Sequence, residues 1–209
     1  MYTKSIIPIL FLLLSSVLLK GQDSKFRIGI GVKPVISALQ NEFFEYDAVF
    51  FVTPSVQLEY KLTEVIQLNV GLEYERKGGK TEVTFSDNTG NILSNDIIKI
   101  NLNYLQIPIF ATFKTKGKVK LYGNAGLNTG ILVNENFKNK STKSKTTTDN
   151  YKAIDLSVLL GGGLEFNMND RLAFNFGPRF NLGIIDMSIA PLVERINSAG
   201  FLFQINYSL

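Results

Sequence analysis

The stretch Asn101-Leu-Asn-Tyr-Leu-Gln-Ile-Pro-Ile-Phe-Ala-Thr-Phe113 decides the fold, because it alternates like a β-strand yet holds a proline near its middle. A proline inside a sheet withdraws a ladder donor and normally marks an edge or a bulge. Apolar residues stand on even numbers at Ile98, Ile100, Leu102 and Tyr104, then on odd numbers at Leu105, Ile107, Ile109, Ala111 and Phe113. This reversal predicts a one-residue bulge between Tyr104 and Leu105, with the apolar residues on one outer face and Pro108 turned inward. A closed barrel has no edge strand, so a bulge and an inward proline are the means by which it accommodates such a residue.

Period-two alternation recurs on both sides of this stretch. Phe26, Ile28, Ile30 and Val32 alternate with Arg27, Gly29, Gly31 and Lys33, and Val56, Leu58 and Tyr60 with Ser55, Gln57 and Glu59. Ile66, Leu68, Val70, Leu72 and Tyr74 stand against Gln67, Asn69, Gly71, Glu73 and Glu75. In the second half the apolar sets begin at Val119, Ile154, Leu172 and Phe201, which brings the strand count to eight. Each run is about ten residues, the length a tilted strand needs to cross a bilayer. Short polar connections around 61–65, 115–118 and 168–171 alternate with long ones at roughly 37–50, 79–96, 133–152 and 186–198. The prediction is an all-β, eight-stranded antiparallel up-and-down transmembrane β-barrel of the outer membrane. Short turns and both termini are expected in the periplasm.

Aromatic residues fit that topology. Phe26, Tyr60, Phe113, Phe166, Phe174 and Tyr207 fall at the expected periplasmic ends of their strands, where an interfacial girdle belongs, and Phe51, Tyr74, Phe180 and Phe201 are expected in the opposite belt. Tryptophan, usual in such girdles, is absent. The apolar run 5–19 behind Lys4 has the plan of a secretory signal, so the chain divides into residues 1–21, a cleaved signal peptide, and 22–209, the barrel domain. The net charge falls from +4 to +2 once Lys4 and Lys20 leave, a balance that points to no nucleic-acid partner. With no cysteine there is no disulfide framework.

The segment "YLQIPI" resembles the tyrosine-leucine-polar-isoleucine-proline motif of the PorT-like outer-membrane β-barrel family of Bacteroidota. "GLEYERKGGK", "GGGLEF" and "GPRFNLGI" resemble later strands of the same family, in order, over roughly residues 23–209. The chain departs from the common barrel ending in an aromatic residue, since it closes on Leu209 with Tyr207 two before it. The resemblance implies the fold and the membrane, and a link to secretion through the namesake group.

No histidine and no cysteine are present, which removes Ser-His and Cys-His nucleophile systems and the common zinc sites. No catalytic residue, cofactor or metal site is expected. "RKGGKT" (Arg76 to Thr81) ends like a P-loop, but Tyr74 stands where its first glycine belongs. It is expected to be a strand running into a flexible outer loop. "SDNTGN" (Ser86 to Asn91) reads as a turn.

The inward face is expected to carry Arg27, Lys33, Glu59, Glu73, Glu75, Asp155, Glu165 and Arg179. Eight strands leave room only for side chains, so these charges should pair, with Arg27, Glu59, Glu73, Glu165 and Arg179 forming a structural network. Lys138, Lys140, Lys143 and Lys145 form a candidate loop site for lipopolysaccharide phosphates or an acidic partner. Ile189, Leu192, Val193 and Ile196 recur at helical spacing and suggest a short capping helix. The functional expectation is a non-catalytic outer-membrane barrel in contact with lipid and lipopolysaccharide, serving an envelope or secretion partner through its loops. A narrow solute channel is the first alternative and a loop-based hydrolase the second.

Overall fold

The computed structural model describes residues 25–41, 46–86, 89, 92–139, 145–146, 151–188 and 194–209. The signal region, Lys140, Lys143, and Ile189, Leu192 and Val193 of the expected helix lie outside them.

The described elements are β1 (Phe26–Asn41), β2 (Val49–Lys61), β3 (Ile66–Ser86), β4 (Ile92–Lys114), β5 (Val119–Asn139), β6 (Lys145–Thr146), β7 (Ile154–Asn167), β8 (Leu172–Gly183) and β9 (Glu194–Ser208). All pairings are antiparallel, and all strands except β6 form one closed eight-stranded barrel, in which β1 pairs with both β2 and β9 and β4 with both β3 and β5. Both described chain ends lie at one mouth, where the Leu209 amide donates to the Phe26 carbonyl.

The three short turns share that mouth and are built by local side chains. Thr63 Oγ1 accepts from the amides of Val65 and Ile66, and Asn169 Oδ1 from those of Arg171 and Leu172. Such side chains stand in for backbone partners in a tight turn. At the far mouth the strands run well into the segments expected to be loops: β1 continues to Asn41, β3 to Ser86, and β4 starts at Ile92. Ile196 lies in β9 as an inward strand residue and not in a helix, for β9 begins at Glu194.

Outward apolar residues such as Ile30, Val56, Ile109 and Leu121 are exposed, whereas their sequence neighbours Gly31, Gln57, Phe110 and Tyr122 are buried inside. From Phe26 to Ile36 the outer face of β1 stays apolar. Ten residues at a rise of about 3.4 Å, tilted about 40°, cover about 26 Å, close to the height of a lipid-facing band. Around it Phe26 meets Tyr60 at 5.0 Å and Phe176 meets Phe166 at 5.7 Å, ring centroid to centroid. Phe51 corrects the expected upper belt: it is 8% exposed, with Arg76 and Lys99 over its ring, and Phe50 at 63% is the outward residue.

Pro108 is inward, as its position requires, but the strand around it is not phase-shifted. Every even residue of β4 from Ile100 to Lys114 is buried, so Ile100, Leu102 and Tyr104 point into the barrel and not outward. The pairing with β5 does slip at this level, from Asn103↔Asn134 to Tyr104↔Leu132, and the extra residue is Val133 of β5. The missing proline donor shows on the other side, where the β3 ladder jumps from Val70↔Ile109 to Glu73↔Gln106 without changing register. Gly71 opposite makes the space: a Cβ there would sit 3.0 Å from Pro108 Cγ.

Candidate functional site

The lumen is filled in three storeys. Nearest the short turns, Arg27 of β1 lies 3.3 Å from Glu59 and 3.2 Å from Glu165, and Lys120 lies 3.2 Å from Glu165. Lys114 donates to Glu165 and lies 3.7 Å from Glu59. Gln57 and Gln204 each donate to Glu59 Oε1 at 3.3 Å. Strands β1, β2, β4, β5 and β7 thus converge on two buried carboxylates.

The middle storey is built on Glu73 and Glu75 of β3. Lys33 donates to both, at 2.8 and 3.0 Å, and Arg179 donates to Glu73 at 2.7 Å while lying 4.9 Å from the Phe110 ring centroid. Ser198 Oγ donates to Glu75 at 2.8 Å, and Lys77 to Asp155 across the barrel at 2.6 Å. Arg27, Glu59 and Glu165 therefore meet in one group and Glu73 and Arg179 in another. Between the two storeys remains a cavity of only about 10 Å³, lined by Gln57, Phe110, Tyr122 and Arg179 among others.

Lys77 and Lys114 were missed in the sequence, although parity signals both. Lys77 extends the inward set Glu73, Glu75, and Lys114 extends Phe110, Thr112. Arg76 to Thr81 is expected as a strand running into a loop, and Lys114 abuts a turn, so parity alone does not carry either lysine into the lumen.

The third storey is apolar. Leu39, Ile100, Leu102, Tyr104, Tyr151, Met187 and Ile196 form a buried cluster, with Tyr46, Ile98, Leu132 and Ile185 packed against it. Upper β3 leans over this cluster: the Gly78 amide donates to Ser37 Oγ at 3.3 Å, and pairing with β2 stops at Ser55↔Glu73 until a single bridge at Asp47↔Lys80. Gly78 has φ +151°, a conformation open to glycine, and a Cβ there would lie 2.0 Å from the Ile100 carbonyl oxygen. The glycine pair of "RKGGKT" is a backbone bend that brings Gly79 against Tyr46 and Leu39.

The mouths differ as well. The short-turn mouth is a concavity of about 680 Å³ bordered by Lys25, Arg27, Lys61, Lys116, Lys118, Lys120 and Arg171, with Glu64 and Asp170 as its acidic residues. Its one ion pair at the rim joins Lys116 to Glu64 at 2.7 Å among the described residues. That hydrogen bond holds the Glu64 carboxyl below its usual range and raises Lys116. At the other mouth Lys138 of β5 pairs in register with Lys145 of β6. Among the described residues no helix is long and apolar enough to cross a membrane, and no group of three metal-ligating His, Cys, Asp or Glu occurs.

A family model described as outer membrane protein beta-barrel domain matches residues 21–188. Neisserial surface protein A (NspA) is similar in structure, with a TM-score of 0.57 at 13% identity over 89% of this chain and 98% of that one. Outer Membrane Protein W of E. coli has a TM-score of 0.50 at 11% identity, over 91% of this chain and 100% of that one. Identities this low speak for the fold alone. No curated protein matches the sequence.

Proposed function

The chain belongs to the outer membrane protein beta-barrel domain family, and from that premise we propose that it is a sealed, non-catalytic barrel that works through the parts projecting beyond the bilayer. The single observation that carries this reading is the apolar storey, where Leu102, Tyr104, Met187 and Ile196 lie buried across the lumen above the paired charges. A hydrated ion would have to shed water to pass such a constriction.

The charged storeys have a structural role in this reading. Arg27, Glu59, Glu73, Glu165 and Arg179 tie opposite walls together, and each of these five has an opposite charge within hydrogen-bonding reach. The chain is exported by cleavage of residues 1–21, and the short turns and both ends face the periplasm. At the opposite mouth, the prolonged β3, β4 and β5 strands present a surface to lipopolysaccharide or an envelope or secretion partner, the role suggested by likeness to the PorT-like group. In this reading Lys138, Lys140, Lys143 and Lys145 are the residues that engage the partner's negative charge.

The test is purified full-length protein in planar bilayers together with protease digestion of intact cells. No step conductance and cleavage within residues 133–152 are expected. Regular conductance steps from the unaltered protein would replace this reading with that of a narrow channel, which the polar lower lumen otherwise favours.

A further inference from the structure

We infer that the short-turn mouth is a binding site for a small multivalent anion of the oligophosphate class. It is distinct from the lysine-bearing strands at the far mouth. Lys25, Lys61, Lys118 and Arg171 border the concavity without a salt bridge to any carboxylate among the described residues. They act beside Lys116 and Lys120, whose partners are Glu64 and Glu165.

The floor points the same way. Three cations, Arg27, Lys114 and Lys120, share two carboxylates, Glu59 and Glu165, so the floor itself is positive. Arg27 lines the mouth with a buried Nε that finds no acceptor among the described residues, although its Nη1 donates to both Glu59 and Glu165. An unpaired buried donor beside unpaired cations favours an acceptor-only, charged ligand.

The size selects the class. A space of about 680 Å³ fits a small ligand and not a folded partner. Several cations in that space are matched best by a group carrying about one charge per heavy centre, as linked phosphates do. An acidic peptide spaces its carboxylates along a chain at about 3.4 Å per residue and brings bulk with each. The phosphates come either from a free oligophosphate or from lipid headgroups beside the turns. A barrel wall concentrates the field of such a ring at the opening, which strengthens capture at low salt.

The experiment is calorimetric titration of folded full-length protein in nanodiscs with sodium tripolyphosphate, at low salt and at about 0.15 M. Saturable binding is expected, weakened at least about tenfold by Lys61→Gln combined with Arg171→Gln. Lys25→Gln combined with Lys118→Gln gives an independent pair should the first disturb a turn, and Lys152→Gln at the far mouth should change nothing. Loss of tripolyphosphate binding in phosphatidylglycerol nanodiscs but not in phosphatidylcholine ones would assign the site to lipid headgroups, and equal binding in both to free oligophosphate. Absence of saturable binding, indifference to both charge pairs, or equal affinity for triglutamate would overturn the inference. It rests on the barrel reading only in placing this mouth outside the bilayer. Heat-modifiable gel mobility and conductance score that reading separately.

Discussion

The lower and upper halves of the lumen share one barrel and opposite chemistry. Below, β1, β2, β4, β5 and β7 send Arg27, Glu59, Lys114, Lys120 and Glu165 to a common centre. Above, β1, β4 and β9 send Leu39, Ile100, Leu102, Tyr104 and Ile196 to an apolar one. Their outer faces invert in the same place. Beside the charges the exterior is Ile28, Leu58 and Leu121, and beside the apolar cluster it is Gln40 and Arg76. Lipid outside forces polar groups inward, whereas water outside lets the interior become an ordinary protein core.

If the lower half is held by paired charges, deleting one hub should cost most. Glu165→Ala leaves Arg27 and Lys114 on Glu59 alone and takes the carboxylate from Lys120, and it should destabilise by about 3–5 kcal/mol, read from urea unfolding in lipid vesicles. A loss near zero would mean that water, and not Glu165, balances those cations.

The upper half should respond as a core. Leu102→Ala removes a fully buried side chain and should cost about 2–5 kcal/mol by the same measurement. It should also admit ions that the unaltered barrel excludes, while Glu165→Ala should not. If the conductances come out the other way round, the charges and not the apolar storey seal the lumen.

The junction of the halves should be less sensitive. Gly78→Ala places a Cβ against the Ile100 carbonyl at φ +151°, and the strain should cost about 1–3 kcal/mol, seen as faster exchange of the upper β3 amides. Unchanged protection there would mean that upper β3 rests on Phe51 and Asp47 and not on the bend. The smallest effect belongs to the rim. Glu64 is depressed in the folded state, so whatever its pair with Lys116 contributes is present above the unfolded carboxyl pKa of about 4.3 and lost as pH falls through the lower folded value. Both groups are fully exposed, and Glu64→Gln should leave the acid limb of the unfolding curve where it was.

Parity along each strand made the faces legible from residue types alone, and so the inward positions of Arg27, Glu59, Glu73, Glu165 and Arg179. It failed above Tyr104 for a physical reason. The rule that places apolar residues outside holds only where lipid surrounds the barrel, and the alternation carries no mark of where the lipid stops. A change of outer solvent was therefore mistaken for a bulge in β4. Phe51 fell to the same error, since its neighbour Phe50 is the residue turned to the outside.

The local and periodic part follows from residue types alone: strands of two unlike faces, short polar turns around 61–65, 115–118 and 168–171, and an even number of crossings that brings both ends to one mouth. Only the tertiary structure decided which charges meet, that Lys77 reaches Asp155 across the barrel, and that Val133 rather than Tyr104 marks the slip in register. Those depend on shear, stagger and the curl of upper β3 over the lumen, which join residues far apart in the chain, and no spacing within one strand encodes them.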